Sequence, residues 1–407
     1  MEKMKKRAFL FLTTAAVLLA VSCKAAALKQ TTPKTTENYQ AKELEYSNNG
    51  GYDRLDNGHT APETAGTLLD RGIQFATRGY FELAIGDFSD AIKQNPYLSE
   101  AYILRGKALY ASVSDVINIA EKFERVGTHF QAGRQLSKEQ TQAYNRAIAD
   151  FTEAIRLDEN NAVAYSDRGD AYSQKGDLDK AIADYNQAIR LNPQYAWAYN
   201  DRGNAYHFKG DTDKAIEDYT QAIRYDPQFS YPYHNRGNQY LYRSNNQNKE
   251  DLDMAIADFT EAIKLDPNVD DYAYINRGKA YYNKEDYDRA IADYTQAIIL
   301  NPNYADTYID RGNAYYKKGD YNQAIADYTQ AIILNPYHAD PYTNKGDYDW
   351  AIADYNRGLA YDNKKDYDRA IADYTQAIKL NPNYAGAYGL RGDAYTDRGK
   401  AYYNKKD

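Results

Sequence analysis

The chain has 407 residues with 44 tyrosines, 11 prolines and a single cysteine, which excludes a disulfide scaffold, a zinc ribbon and a CxxC redox centre. Its formal charge of −8 argues against general nucleic-acid binding, which needs clustered lysine and arginine in surplus. Tyrosine supplies about a quarter of the 43% hydrophobic fraction, so the interior must be built largely from alanine and aromatic rings.

The chain opens with a basic stretch from Met1 to Arg7, then an apolar run from Ala8 to Val21, then Ser22-Cys23. A basic start, a run too short to span a bilayer comfortably and small residues after it predict an export signal covering residues 1–22. The segment Leu19-Ala20-Val21-Ser22-Cys23 resembles the lipobox of bacterial lipoproteins, with Ala20 where leucine is most typical. That resemblance implies cleavage before Cys23, diacylglycerol on its sulfur and an acyl chain such as palmitate on its amine. Two or more chains anchor stably where one does not. Lys24 in place of an aspartate implies sorting to the outer membrane, facing the periplasm. The alternative is an ordinary signal peptide that leaves a secreted or periplasmic soluble protein. Loss of residues 1–22 removes four basic groups and one acidic group and leaves a charge of −11. Residues 23–64 are rich in Thr, Asn, Gln and Gly without apolar periodicity, which predicts a lipid-anchored flexible tether. Flexible-coil scaling gives it a reach of roughly 35 Å.

From residue 65 onward one motif repeats. Arg168-Gly169, Arg202-Gly203 and Arg236-Gly237 follow one another at 34-residue steps, as do Pro193 and Pro227. Within the unit 162–195, Tyr165, Gly169 and Tyr172 recur at helical spacing, then Ala181, Tyr185 and Ala188 do so again before Pro193. Each unit is therefore expected to be a helix–turn–helix. The pattern resembles the tetratricopeptide repeat, with an aromatic at position 4, Gly at 8, Tyr at 11, Ala at 20, an aromatic at 24, Ala at 27 and Pro at 32. It implies an all-α, right-handed α-solenoid over residues 65–407. The units fall near 65–98, 99–161, 162–195, 196–229, 230–269, 271–304, 305–338 and 351–384, with an irregular stretch at 339–350 and a partial copy at 385–407. Small residues at 8, 20 and 27 let two helices approach, and rings at 4, 11 and 24 are expected to form partly buried walls between successive hairpins.

Three departures from the period stand out. A helical-patterned insertion at 111–141 separates the two helices of the second unit, and a loop from Ser244 to Lys249 lengthens the fifth. Between Asp340 and Arg357 the motif is out of frame, which predicts a lost helix and a register defect. Position 7 carries arginine where the family usually has leucine, and position 23 carries aspartate in the same units, from Arg71 and Asp87 to Arg357 and Asp373. This co-occurrence predicts an arginine–aspartate ladder between the two helices of each hairpin.

No catalytic set is visible. The five histidines are isolated, there is no HExxH or phosphate loop, and no metal site or cofactor is expected. The family resemblance implies that positions 2, 5, 6, 9, 12 and 13 of the first helices line a partner-binding groove. Carried over, it selects Trp197, Asn200, Asn204 and His207; Tyr231, Asn235 and Asn238; Tyr272 and Asn276; and Asp310, Asn313 and Tyr316. An acidic, amide- and aromatic-lined groove suits an extended polar or basic protein segment. These readings point to a non-enzymatic protein–protein interaction scaffold of the bacterial cell envelope. The alternatives are an assembly factor acting through end-to-end stacking and a carbohydrate or peptidoglycan binder.

Overall fold

The computed structural model describes residues 63–113, 136–244, 248–267, 271–334 and 346–404. The signal segment, Cys23 and nearly all of the tether lie outside the described residues. So do most of the 111–141 insertion, the centre of the 244–249 loop and the first part of the irregular stretch. Among the described residues there are seventeen helices and no strand.

Two units divide the chain between Pro227 and Gln228. The first contains α1 (Ala65–Thr77), α2 (Phe81–Gln94), α3 (Ser99–Val113), α4 (Lys138–Leu157), α5 (Ala162–Gln174), α6 (Leu178–Leu191), α7 (Ala196–Phe208) and α8 (Thr212–Tyr225). The second contains α9 (Ser230–Arg243), α10 (Lys249–Leu265), α11 (Asp271–Asn283), α12 (Tyr287–Leu300), α13 (Ala305–Lys317), α14 (Tyr321–Leu334), α15 (Gly346–Asn363), α16 (Tyr367–Leu380) and α17 (Ala385–Tyr403). Within each unit every helix packs against the next one along the chain, and first helices of adjacent hairpins also touch. Each unit is an α-solenoid.

The turns follow from local chemistry. Position 15 takes a left-handed backbone, with φ near +80° at Gly79, Gly176, Gly210 and Gly319 and near +60° at Glu285 and Lys365. The next residue caps the second helix, as Asp177, Asp211, Asp286 and Asp366 accept from the backbone N–H three residues on. Reversal and restart thus occupy two residues.

Inside each closed hairpin the ring at position 24 packs directly against the glycine at position 8. A Cβ added at Gly72, Gly106, Gly169, Gly203, Gly237, Gly278, Gly312 or Gly358 would stand only 2.5–2.9 Å from that ring. Nothing larger than glycine fits without displacing the ring. The rings at 24 are therefore not the partly buried walls the sequence suggested: Tyr185, Tyr219, Tyr294, Tyr328 and Tyr374 are at most 1% exposed. Burial pushes their hydroxyl pKa values up. Rings at 4 and 11, such as Tyr165 and Tyr172, stay half-buried, as expected.

The arginine–aspartate ladder is present in all eight closed hairpins. Nε and Nη2 of Arg71, Arg105, Arg168, Arg202, Arg236, Arg277, Arg311 and Arg357 each donate to the two carboxylate oxygens of Asp87, Asp150, Asp184, Asp218, Asp258, Asp293, Asp327 and Asp373 at 2.6–2.8 Å. The third branch, Nη1, reaches position 25 of the preceding repeat, as in Arg168 to Thr152, Arg277 to Thr260 and Arg311 to Thr295 at 3.0–3.1 Å. These threonine hydroxyls donate to the carbonyl four residues earlier, so a lone pair is left facing the guanidinium. One side chain thereby closes its own hairpin and fastens it to the one before. Burial pushes the carboxyls of Asp218, Asp258 and Asp327 upward despite the adjacent guanidinium. Desolvation therefore offsets much of the attraction, and the bidentate fork sets geometry more than it adds net stability.

The irregular units differ from expectation in one place. Lys138–Thr141 extend α4 to 20 residues. In the out-of-frame stretch the structure shows no lost helix among the described residues: from Gly346 the extra residues lengthen a first helix, α15, to 18 residues. That helix still packs against both α14 and α16. The segment Ala351 to Tyr355 resembles the start of a second helix, yet no turn residue separates it from Arg357-Gly358, so the helix simply continues.

Candidate partner-binding face

At four places a residue at position 9 of one first helix meets position 6 of the next. In the first unit Lys107 Nζ lies 3.2 Å from Asp167. In the second unit Asn276 Nδ2 donates to Asn238 Oδ1 at 2.9 Å, Lys279 Nζ lies 3.5 Å from Asp310, and Asn356 Nδ2 donates to Asn313 Oδ1 at 3.0 Å. In these four pairs opposite charges meet and amide meets amide, whereas Asp170 and Asp201, at the corresponding positions of the first unit, are both acidic. This pairing was not foreseen, although the matched residue types are visible in the sequence.

In the first unit, the predicted residues lie on α7. Trp197 packs half-buried against Val163, Ala188, Tyr195 and Ala198. Asn200 is buried and donates to Asp201 at 3.1 Å. Asn204 Oδ1 accepts from the hydroxyl of Tyr219 at 2.8 Å. His207 stands beside Phe208, ring centroids 5.1 Å apart. Anchoring of this kind fixes side-chain direction before any partner arrives.

In the second unit, Tyr231 contacts Phe229 edge-on at 5.8 Å, Asn235 is buried, and Tyr272 is buried against Tyr304 at 5.8 Å. Asn238 accepts from Asn276, and its own Nδ2 is buried with no acceptor among the described residues. Asn313 Oδ1 accepts twice, from Asn356 and from the Tyr328 hydroxyl at 2.9 Å. The Tyr316 hydroxyl accepts from Asn363 at 2.9 Å, and its ring lies 5.4 Å from that of Tyr321.

The structure brings Lys279, Asp310 and Asn313 together around a cavity of about 270 Å³, completed by Leu241, Tyr282, Asn283 and the inner ring of Tyr294. Its lining offers an ammonium, a carboxylate and amides, together with the rings of Tyr282 and Tyr294. Burial pushes the Asp310 carboxyl upward while Lys279 opposes it, and burial also raises the Tyr282 and Tyr316 hydroxyls. Such a surface can hold backbone amides and one charged side chain of an extended chain. Among the described residues no group of three or more His, Cys, Asp or Glu is placed to hold a metal ion. None of the described helices is long and apolar enough to cross a membrane.

Comparison with known proteins is consistent with this architecture. A model described as TPR repeat matches residues 140–176, 169–210 and 278–319. Models of the tetratricopeptide repeat match 196–229, 305–338, 355–384 and 245–269, and together the matches cover just over half of the chain. No curated protein matches the sequence. Among solved structures the chain is similar to YrrB, described as a TPR protein with an unusual peptide-binding site, at 24% identity over 46% of this chain and 93% of that one, TM-score 0.41. It is similar to the C-terminal part of a TPR repeat-containing protein from Cytophaga hutchinsonii at 21% identity, over 61% and 95% of the two chains, TM-score 0.49. It is also similar to Pseudomonas aeruginosa PilF at 19% identity, over 58% and 98%, TM-score 0.46.

Proposed function

Because the chain belongs to the tetratricopeptide repeat proteins, we propose that it is a non-enzymatic scaffold that holds an extended polar or basic segment of another protein along its first helices. The observation that carries this reading is the cavity formed by Lys279, Tyr282, Asp310 and Asn313. All four belong to first helices and are held in place by neighbours, so little side-chain freedom would be lost on binding. Asp310 offers a carboxylate to a basic side chain, and the tyrosine rims offer apolar contact. In this proposal Trp197, Asn204 and His207 in the first unit, and Tyr231, Asn276 and Tyr316 in the second, face the partner, while the buried Asn200, Asn235 and Tyr272 back that face.

We further propose that the scaffold works in a bacterial envelope, tethered by lipid on Cys23, with residues 24–64 as its leash. Support for this comes from the order basic stretch, apolar run, Ser22-Cys23 alone.

Affinity capture from solubilised envelope with wild type and with a Tyr282→Ala/Asn313→Ala double variant tests the groove. A partner retained by the first and released by the second is the expected result; a partner kept equally by both removes the groove from the account. Membrane fractionation of Cys23→Ala tests the anchor, which is refuted by a variant that still pellets with membranes.

A further inference from the structure

The cavity of the second unit contains a polar group that the fold itself does not use. At position 24 a tyrosine hydroxyl elsewhere finds its acceptor at position 9 of the same hairpin: Tyr185 donates to Asp170 at 2.9 Å, Tyr219 to Asn204 at 2.8 Å and Tyr328 to Asn313 at 2.9 Å. In α11–α12 position 9 is Lys279, whose ammonium has no lone pair to offer. Tyr294 is 1% exposed and lines the cavity, and its hydroxyl makes no hydrogen bond among the described residues. Packing does not require that hydroxyl: α3–α4 also has a lysine at position 9, Lys107, and packs the bare ring of Phe151 against Gly106. Burial and, after it, the charge of Asp310 push the Tyr294 hydroxyl pKa up, as expected of two groups that share one space.

Asp310, the second acceptor of the cavity, is only loosely compensated. Lys279 Nζ stands 3.5 Å from it, against 3.2 Å for Lys107 and Asp167, and the Lys279 side chain is 45% exposed and can swing into solvent. We propose that the cavity is a pocket for an arginine side chain of the bound segment, whose guanidinium forks onto Asp310, donates a further N–H to the Tyr294 oxygen and lies along the ring of Tyr282. This inference rests on the groove reading and names what the groove selects. The chain uses the same chemistry internally: Arg311 forks onto Asp327 at 2.7–2.8 Å with its guanidinium carbon 5.7 Å from the Tyr308 ring. Five N–H groups in one plane reach two separate acceptors, which a lysine ammonium does less well, and a carboxylate would be repelled by Asp310.

Fluorescein-labelled nonapeptides of alternating serine and glutamine, with arginine, citrulline, lysine or glutamate at the centre, are titrated with the full chain and followed by anisotropy. The arginine peptide is expected to saturate and to bind at least about tenfold more tightly than the citrulline peptide, which keeps the shape and loses the charge. Asp310→Asn should bring the two level, and Tyr294→Phe should weaken the arginine peptide about threefold. Lys279→Met removes the competing ammonium and should tighten the arginine peptide about threefold, a gain that damage to the fold cannot produce. Equal binding of the arginine and citrulline peptides, lost for both in the Tyr282→Ala/Asn313→Ala variant, overturns the pocket and leaves the groove standing. Failure of every peptide to bind overturns the pocket, and the groove then stands or falls on its own capture experiment. An arginine preference that survives Asp310→Asn, or that Lys279→Met weakens, overturns it as well. Arginine binding that emerges only when Arg7, Arg54, Arg125 and Arg134, which lie outside the described residues, are changed to glutamine would put the chain's own arginine in the cavity and overturn the assignment to a partner.

Discussion

The hairpins α13–α14 and α15–α16 share one frame and differ in what fills it. Both lay a tyrosine on a glycine, and both clamp an aspartate with an arginine fork, Arg311 on Asp327 and Arg357 on Asp373. Under Arg311 lies the ring of Tyr308, 5.7 Å from the guanidinium carbon; in the register of that ring, α15 carries Asp354, buried and 3.1 Å from Arg357. Beneath the inner ring, Asn313 receives the Tyr328 hydroxyl, whereas the Tyr374 hydroxyl, with Leu359 at the matching position, has no partner among the described residues. The frame is fixed by six positions, and positions 4 and 9 tune local electrostatics without altering it.

The arginines test the shared part of this comparison most severely. Removing one member of a buried pair leaves a carboxylate without its counter-charge, so Arg311→Gln should destabilise its hairpin by about 3–4 kcal/mol. Arg357→Gln strands two carboxylates, Asp354 and Asp373, and its defect should shrink on acidification below pH 6. Arg391→Gln on α17, with no carboxylate to strand among the described residues, should cost under about 0.5 kcal/mol. Stability here is best read hairpin by hairpin, from native-state hydrogen exchange, because tandem repeats do not unfold as one unit. A double-mutant cycle of Arg311→Gln with Asp327→Asn should show strong coupling, and simple additivity would mean the pair is incidental.

Next in size is the glycine under the ring. Gly312→Leu and Gly358→Leu each force a buried tyrosine aside and should cost about 3 kcal/mol. Gly392→Leu on α17 meets open space and exchanges a poor helix former for a good one, which should be neutral or stabilising by up to about 0.8 kcal/mol. Equal losses at all three sites would erase the distinction between closed hairpins and α17.

Which parts of this were legible in sequence follows from the range of each signal. The arginine–aspartate ladder could be read because both residues recur at fixed positions of one repeat, and a contact inside a hairpin depends only on the repeat itself. The burial of the tyrosines at 24 could not, since periodicity says that a ring faces inward but not that it lies on a glycine 16 residues earlier. Pairs such as Lys279 with Asp310 lie between repeats, and their meeting depends on how one hairpin is rotated on the next. The length of α15 was not legible because Ala351 to Tyr355 repeats the motif of a second helix, yet no turn residue separates it from Arg357-Gly358 and the segment joins the first helix. The candidate groove positions rest on the family pattern, and the structure adds that several of their polar atoms already serve as internal hydrogen-bond partners, Asn204 and Asn313 among them.

Asp354 sharpens the contrast at position 4. Burial holds its carboxyl at about 6 against an ordinary 3.8, with Arg357 opposing and Asp373 adding to the rise. Between those values the folded hairpin holds the proton that the unfolded chain has released, so stability falls as pH rises from about 4 to about 6 and is level above. Asp354→Asn should abolish that slope and stabilise the hairpin at neutral pH by at most about 3 kcal/mol. An unchanged pH profile of hydrogen exchange in α15–α16 would show that Asp354 ionises in the fold as freely as in the unfolded chain.

The smallest effect isolates position 9. The Tyr328 hydroxyl is satisfied by Asn313, so Tyr328→Phe removes a buried hydrogen bond and leaves an amide oxygen with one donor fewer; a loss of about 1 kcal/mol is expected. The Tyr374 hydroxyl is buried beside Leu359 with no partner among the described residues, so Tyr374→Phe removes a desolvated group that gives nothing back and should stabilise by up to about 1 kcal/mol. Opposite signs for the same chemical change, in two hairpins with the same frame, would point to the residue facing the hydroxyl. Leu359→Asn should then restore the ordinary sign: in that background Tyr374→Phe becomes destabilising, and if it does not, the hydroxyl is being satisfied by water and position 9 does not control it.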